Sequence, residues 1–263
     1  MLPFWLSIAV LSLVQAVLVA APRAPLAPLL NRLQSRWWAL VLPLSIVVVV
    51  SAIALESTSA RFLTYLALVA VPPLAAVALA RLIRGARPVF AVAVLPLFAI
   101  AWASQGALAG ETAALALSAL ACVSLGWLVA CVVPPRRLKL GIYLMAVIDA
   151  WLVASNLLQG PNAVLNAAAP LADLPRLQFA SFGSAVMGFG DLFIAATLGA
   201  LLASDRRLQL RAAALAAAIC LSFDLLFFAV DQLPATVPIA LTLACLELMP
   251  KTRPESQERR SRQ

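Results

Sequence analysis

Nine apolar runs, each close to the length that crosses a bilayer, fill most of this chain, and short basic segments separate them. A bilayer core takes about 20 apolar residues in helical form. The runs lie at about 3–21, 37–55, 62–81, 88–109, 112–132, 138–158, 184–204, 211–230 and 234–249. In hydrocarbon every backbone polar group must be satisfied internally, so such a pattern is confined to a helical bundle. The 263 residues are 64% hydrophobic and 11% charged, with a mean hydropathy of +1.01. A soluble domain carries about 25% charged residues. A water-soluble globule, a disordered chain and a disulfide scaffold are thereby excluded. The expectation is an all-α polytopic membrane protein of nine transmembrane helices, with residues 1–250 as one membrane domain and 251–263 as a polar basic tail. The first run lacks a basic leading segment and reads as a retained span, with a cleaved signal as the alternative.

The net charge of +8 does not imply nucleic acid, because the basic residues punctuate the loops. Arg23, Arg32 and Arg36 follow span one, and Arg81, Arg84 and Arg87 follow span three. Arg136, Arg137 and Lys139 follow span five, Arg206, Arg207 and Arg211 follow span seven, and Lys251, Arg253, Arg259, Arg260 and Arg262 follow span nine. Only Arg61 and Arg176 fall in the alternate loops. Positive residues collect on the cytoplasmic side, which predicts an N-terminus outside and a C-terminal tail inside. The lipid bilayer is the surrounding partner, and the cytoplasmic membrane of a prokaryote the expected location.

The chemistry is restricted by what is missing. With no histidine, a Ser-His dyad, an HExxH metal site and an imidazole relay are all excluded. Cys122, Cys131, Cys220 and Cys245 lie in apolar runs without metal-type spacing and read as core residues. No metal and no organic cofactor is implied. Ionisable groups inside spans are costly and therefore functional candidates. Asp149, Asp191 and Asp224 qualify, in spans six, seven and eight; Asp231 and Glu247 sit near span ends, within reach of solvent. No lysine or arginine lies deep in a span, so a buried carboxyl must pair with another carboxyl, a backbone group or water. Counting helical rise from the basic loops puts Asp149 about 15 Å and Asp191 about 22 Å into the membrane, a difference that tilt can absorb. Two facing carboxyls share one proton; the ionised member activates water while the protonated one polarises a carbonyl.

Asp191 belongs to Gly188-Phe189-Gly190-Asp191, a G-x-G-D motif within an apolar run. The glycines allow close approach of a helix or an extended backbone. With Asp149 in span six and Pro234-Ala235-Thr236 opening span nine, this ordered set resembles the presenilin and signal peptide peptidase family of intramembrane aspartyl proteases. The resemblance is best over 138–249, which it marks as the catalytic helices; 1–133 supplies scaffold helices and matches in span number alone. Ile148 stands where the family usually has tyrosine, and Thr236 where it has leucine. The resemblance implies a catalytic Asp149/Asp191 dyad, access provided by Gly188, Phe189 and Gly190, and a substrate groove shaped by Pro234, Ala235 and Thr236.

Four local expectations accompany this reading. Pro72-Pro73 and Pro96 should kink their helices, and Pro234 with Pro238 should loosen the start of span nine. Leu177–Phe182 alternates in part, as a strand or an entry turn. Asp224 is a possible auxiliary to the dyad, although a protonated carboxyl bonded to a neighbouring helix accounts for it better. Trp37-Trp38, Trp102, Trp127 and Trp151 read as interface anchors or core. The implied activity is hydrolysis of peptide bonds within transmembrane segments. The charge asymmetry directs it to spans with a cytoplasmic N-terminus, such as type II segments and signal-peptide remnants. The competing readings are a proton-coupled permease using the same aspartates and a catalytically silent membrane assembly factor.

Overall fold

In the computed structural model, the described residues are 2–24, 57–157, 159–168, 170 and 174–249. Span two, Trp37-Trp38 and the tail 251–263 lie outside them. The described chain is helical apart from one hairpin. Helix α1 covers Phe4–Ala20 and α2 Ser57–Val77, continuing as one π-helical stretch through Ala78–Leu82. A 3-10 stretch, Pro88–Ala93, leads into α3 (Val94–Ala103), followed by α4 (Leu108–Val132), α5 (Pro135–Ala154) and α6 (Gln159–Ala167). Strands β1 (Phe179–Phe182) and β2 (Ala185–Gly188) pair antiparallel and deliver the chain into α7 (Phe189–Leu202). Helix α8 (Arg206–Asp224) ends in a 3-10 turn, Leu225–Phe228, and α9 spans Val237–Leu248.

Among the described residues three helices are long and apolar enough to cross a membrane: Ala60–Leu82, Leu108–Val132 and Arg206–Phe228. A fourth candidate is α5 with the start of α6, two pieces bent by 88°. The break falls at Ser155–Leu157, where Asn156 adopts φ 57°, a left-handed conformation that ends a helix. Phe4–Ala20, Pro88–Ala103, Phe189–Leu202 and Val237–Leu248 are apolar but have 10–17 residues each. The 14 residues of α7 rise about 21 Å, and the four extended residues of β2 add about 13 Å. The helix by itself is shorter than a bilayer core of about 30 Å.

The prolines act through position. Pro72 and Pro73 sit within α2, one turn before its π-helical stretch, and Pro96 lies in the first turn of α3, just after the 3-10 stretch. Pro238 does not loosen span nine. It occupies the first turn of α9, where no intrahelical N–H is required, and the irregular stretch lies before it.

Helix α7 is the centre of the bundle. Leu192, Ile194 through Ala200 and Leu202 are buried, so apolar side chains face inward all round, as in a fully enclosed helix. Its main neighbours are α4 and α1, and α1 in turn packs along α8. Small residues set the spacing. A Cβ on Gly199 would meet the Val19 carbonyl oxygen at 2.5 Å, and one on Gly126 the Thr197 nitrogen at 2.7 Å. Helices from 1–133 and from 138–249 pack against each other through these contacts. A second apolar cluster, including Val71, Ala75, Val94 and Leu117, joins α2 and α3 to α4.

Polarity is arranged inside out. Val69 is 72% exposed and Phe228 77%, whereas Ser12, Gln15, Thr197, Gln209 and Thr242 are buried. Such a distribution suits lipid outside and hydrogen bonding between helices. The helix ends gather in two groups. At one, Ser184 N–H donates to Ser7 Oγ and Gly183 N–H to Glu111 Oε2. At the other, Pro22 bridges to Ile83, and Arg206 donates to the Ala20 carbonyl.

Candidate active site

Helix α5 buries Leu138, Gly141, Ile142, Met145, Asp149 and Leu152, a stripe at helical spacing. Asp149 thus points inward by the same periodicity that packs the helix, and it is 6% exposed. Its Oδ2 accepts a 2.6 Å bond from Thr236 Oγ1, and the Thr236 backbone N–H points to the same oxygen at 3.4 Å. Thr236 is the N-cap of α9 but makes no side-chain cap to its own helix. A threonine there ordinarily satisfies an orphan N–H; this one is spent on the carboxyl of another helix.

Asp191 is held differently. Gly188 closes β2 and is the N-cap of α7, and its N–H donates to Asp191 Oδ2 at 3.1 Å. A carboxylate in the first turn also suits the positive end of the helix dipole. A Cβ at Gly188 would stand 3.1 Å from that oxygen and push the carboxyl aside. Gly190 faces α5, where a Cβ would reach Met145 Cε at 3.4 Å, one turn from Asp149. Phe189 packs between both apolar clusters, and its carbonyl accepts a weak 3.7 Å bond from Cys122 Sγ. Helices α5 and α7 are in contact, so the two aspartate-bearing helices are neighbours.

The Pro234-Ala235-Thr236 segment forms a turn, with Val237 N–H bonded to the Pro234 carbonyl. The Ala235 carbonyl accepts from Gln15 Nε2 at 3.2 Å, and the same nitrogen reaches the Asp191 carbonyl at 3.4 Å. Gln15 Oε1 accepts from Cys220 Sγ at 3.4 Å. One buried amide from α1 therefore ties α7, α8 and the approach to α9. Sequence reasoning missed it, although a glutamine in an apolar run is open to the same suspicion as the aspartates.

Asp224 is set apart from the other two. Its Oδ2 accepts from Ser12 Oγ at 2.8 Å, in the α1–α8 seam one turn from Gln15 and Cys220. Glu247 pairs with Lys139 at 2.7 Å and accepts from Tyr143 at 2.9 Å, exposed at the helix ends; Asp231 is exposed. No disulfide joins the four cysteines among the described residues, and Cys122, Cys131 and Cys220 are buried. Trp102 and Trp151 are exposed and Trp127 is partly buried. Among the described residues no three His, Cys, Asp or Glu side chains group as metal ligands.

Leu177–Phe182 resolves into β1 from Phe179 onward, paired with a strand that the sequence reading had assigned to span seven. Helix α7 starts at Phe189, so Gly188 of the G-x-G-D motif is the last strand residue. The arrangement can hold two carboxyls beside an extended backbone. No protein-family model, curated protein or solved structure matches the chain.

Proposed function

We propose that the protein is an intramembrane aspartyl protease, similar to the presenilin and signal peptide peptidase family, in which Asp149 and Asp191 activate water against a peptide bond. The observation that carries this reading is the meeting of three segments remote in sequence. Thr236 of Pro-Ala-Thr binds the Asp149 carboxyl, Gly188 of G-x-G-D binds the Asp191 carboxyl, and Gln15 spans Asp191 and Ala235.

The chemistry follows from one shared proton. The ionised carboxyl takes a proton from water as it attacks the carbonyl carbon, and the protonated one donates to the carbonyl oxygen. Collapse of the tetrahedral intermediate returns a proton to the leaving amine. A helical substrate must first unwind, because its carbonyls are internally bonded. Strand β2 pairs with β1 in a two-stranded sheet and runs straight into Asp191. Its other edge offers backbone groups for strand addition, which would deliver an extended peptide to the carboxyls. On the charge asymmetry, the accepted substrates are spans with a cytoplasmic N-terminus, and the nine-span bundle has its N-terminus outside.

A proton-coupled permease is the second reading. The Ser12–Asp224 and Gln15–Cys220 bonds favour it, as a polar seam through α1 and α8. Purified protein incubated with labelled transmembrane peptides, the products read by mass spectrometry, separates the two. The protease reading requires discrete cut products; proton flux in vesicles without any product supports the permease.

A further inference from the structure

The basic end of the bundle contains an arrangement that the proposed chemistry does not use. Gln209 is fully buried at the foot of α8. Its Oε1 accepts from Arg84 Nε at 3.2 Å, Arg84 Nη2 at 2.9 Å and Arg206 Nη1 at 3.0 Å. Its Nε2 donates to the Pro22 and Gly199 carbonyls at 3.0 and 3.1 Å. A neutral amide thus pins two guanidiniums side by side without cancelling either charge. Arg84 and Arg206 also bond the Ala203 and Ala20 carbonyls at the ends of α7 and α1. Arg23 adds a third charge: burial first, then Arg206 and Arg23, hold the Arg84 guanidinium below its ordinary value.

Among the described residues no carboxylate pairs with these charges. Asp205, the nearest acid in sequence, accepts from the Arg207 and Leu208 N–H groups as the N-cap of α8. The only ion pair among the described residues is Lys139–Glu247. Arg206 Nε and Nη2 and Arg84 Nη1 have no protein acceptor among the described residues. Arg84 is itself exposed, directly after the Pro22–Ile83 bridge.

We infer that Arg23, Arg84 and Arg206 form a binding site for the phosphate of an anionic lipid headgroup. The Arg23 N–H donates to the Leu82 carbonyl and the Arg84 N–H to the Ala21 carbonyl, which holds the first two side by side. Two preset guanidiniums match a phosphate through their fork geometry, and basic pockets between helices at the cytoplasmic face attract anionic headgroups. Arg84 follows and Arg206 opens an apolar helix of membrane length, which favours a lipid over a soluble anion. The site is independent of the aspartates and of any protease activity.

The test is lipid titration of the purified full chain in detergent, with bound lipid counted by native mass spectrometry. Phosphatidylglycerol is compared with phosphatidylcholine of the same chains and with inorganic phosphate. Phosphatidylglycerol should bind at least tenfold more tightly than phosphatidylcholine. Each lost arginine should weaken it about fivefold, the equivalent of about 1 kcal/mol per charge. Arg84→Gln removes a structural bond as well as a charge. Arg23→Glu provides the independent variant, because the Arg23 side chain has no hydrogen bond among the described residues; it should weaken phosphatidylglycerol and leave phosphatidylcholine unchanged. Equal affinity for the two lipids overturns the site, as does unchanged phosphatidylglycerol binding in Arg23→Glu. Saturable binding of inorganic phosphate as tight as that of phosphatidylglycerol overturns the lipid assignment.

Discussion

Replacing Thr236 with valine keeps the β-branched shape and deletes the 2.6 Å donor to Asp149 Oδ2. The distance is typical of an O–H group bonded to a carboxylate, among the stronger protein hydrogen bonds. A bond to a charged group contributes about 1.5–3 kcal/mol net, and a buried acceptor left without its partner costs a similar amount. What remains is the Thr236 backbone N–H at 3.4 Å, too long to hold the carboxyl in one rotamer. If Asp149 must be aimed at water or substrate, that loss falls on kcat. At 1.36 kcal/mol per tenfold, the decrease is roughly 10-fold to 150-fold. Thr236→Ser retains the hydroxyl and should stay within about threefold of the parent. The assay is cleavage of a labelled transmembrane peptide under saturating conditions, with thermal unfolding in detergent as the check on folding. A folded Thr236→Val protein with parental kcat would refute the reasoning that this hydroxyl positions the dyad.

Gln15→Leu preserves volume but removes the links to the Asp191 and Ala235 carbonyls; kcat should fall about tenfold with KM little changed, and a fall confined to KM would assign Gln15 to substrate binding. Gly188→Ala should impair cleavage more than Gly190→Ala, because the added methyl meets the Asp191 carboxyl in the first case and the flexible end of Met145 in the second; the reverse order of rates would count against this site geometry. Two carboxyls sharing a proton should give a cleavage rate that falls on both the acid and the alkaline side. With no histidine in the chain, neither limb can belong to an imidazole, and a flat profile under chemistry-limited conditions would argue against the pair.

The apolar runs were legible because hydropathy alone reports on a bilayer solvent. The hairpin was not. Ala185–Gly188 is four residues long, too short for helical and strand periods to be told apart inside an apolar run, so it was read as the start of span seven. Asp149, Asp191 and the Pro-Ala-Thr turn stood out as residues that an ordinary span does not need. The bond between Thr236 and Asp149 did not, because 87 positions separate them and no local period connects such partners. Thr236, a departure from the resembled motif, is the residue that touches the carboxyl. Gln15 and Ser12 carry no charge to mark them in an apolar run, although an uncharged amide or hydroxyl in a span also requires a partner. The break at Asn156 depends on one left-handed residue, which hydropathy does not register.

The most direct test of the central claim is to compare Asp149→Asn, Asp191→Asn and Asp224→Asn in one peptide-cleavage assay, each purified free of the parent protein. An amide cannot pass on the shared proton, so the first two variants should remain folded and yield no product. Asp224, whose carboxyl is bonded to Ser12, should be dispensable, and its variant should retain measurable cleavage. Full cleavage by Asp149→Asn or Asp191→Asn would contradict the dyad.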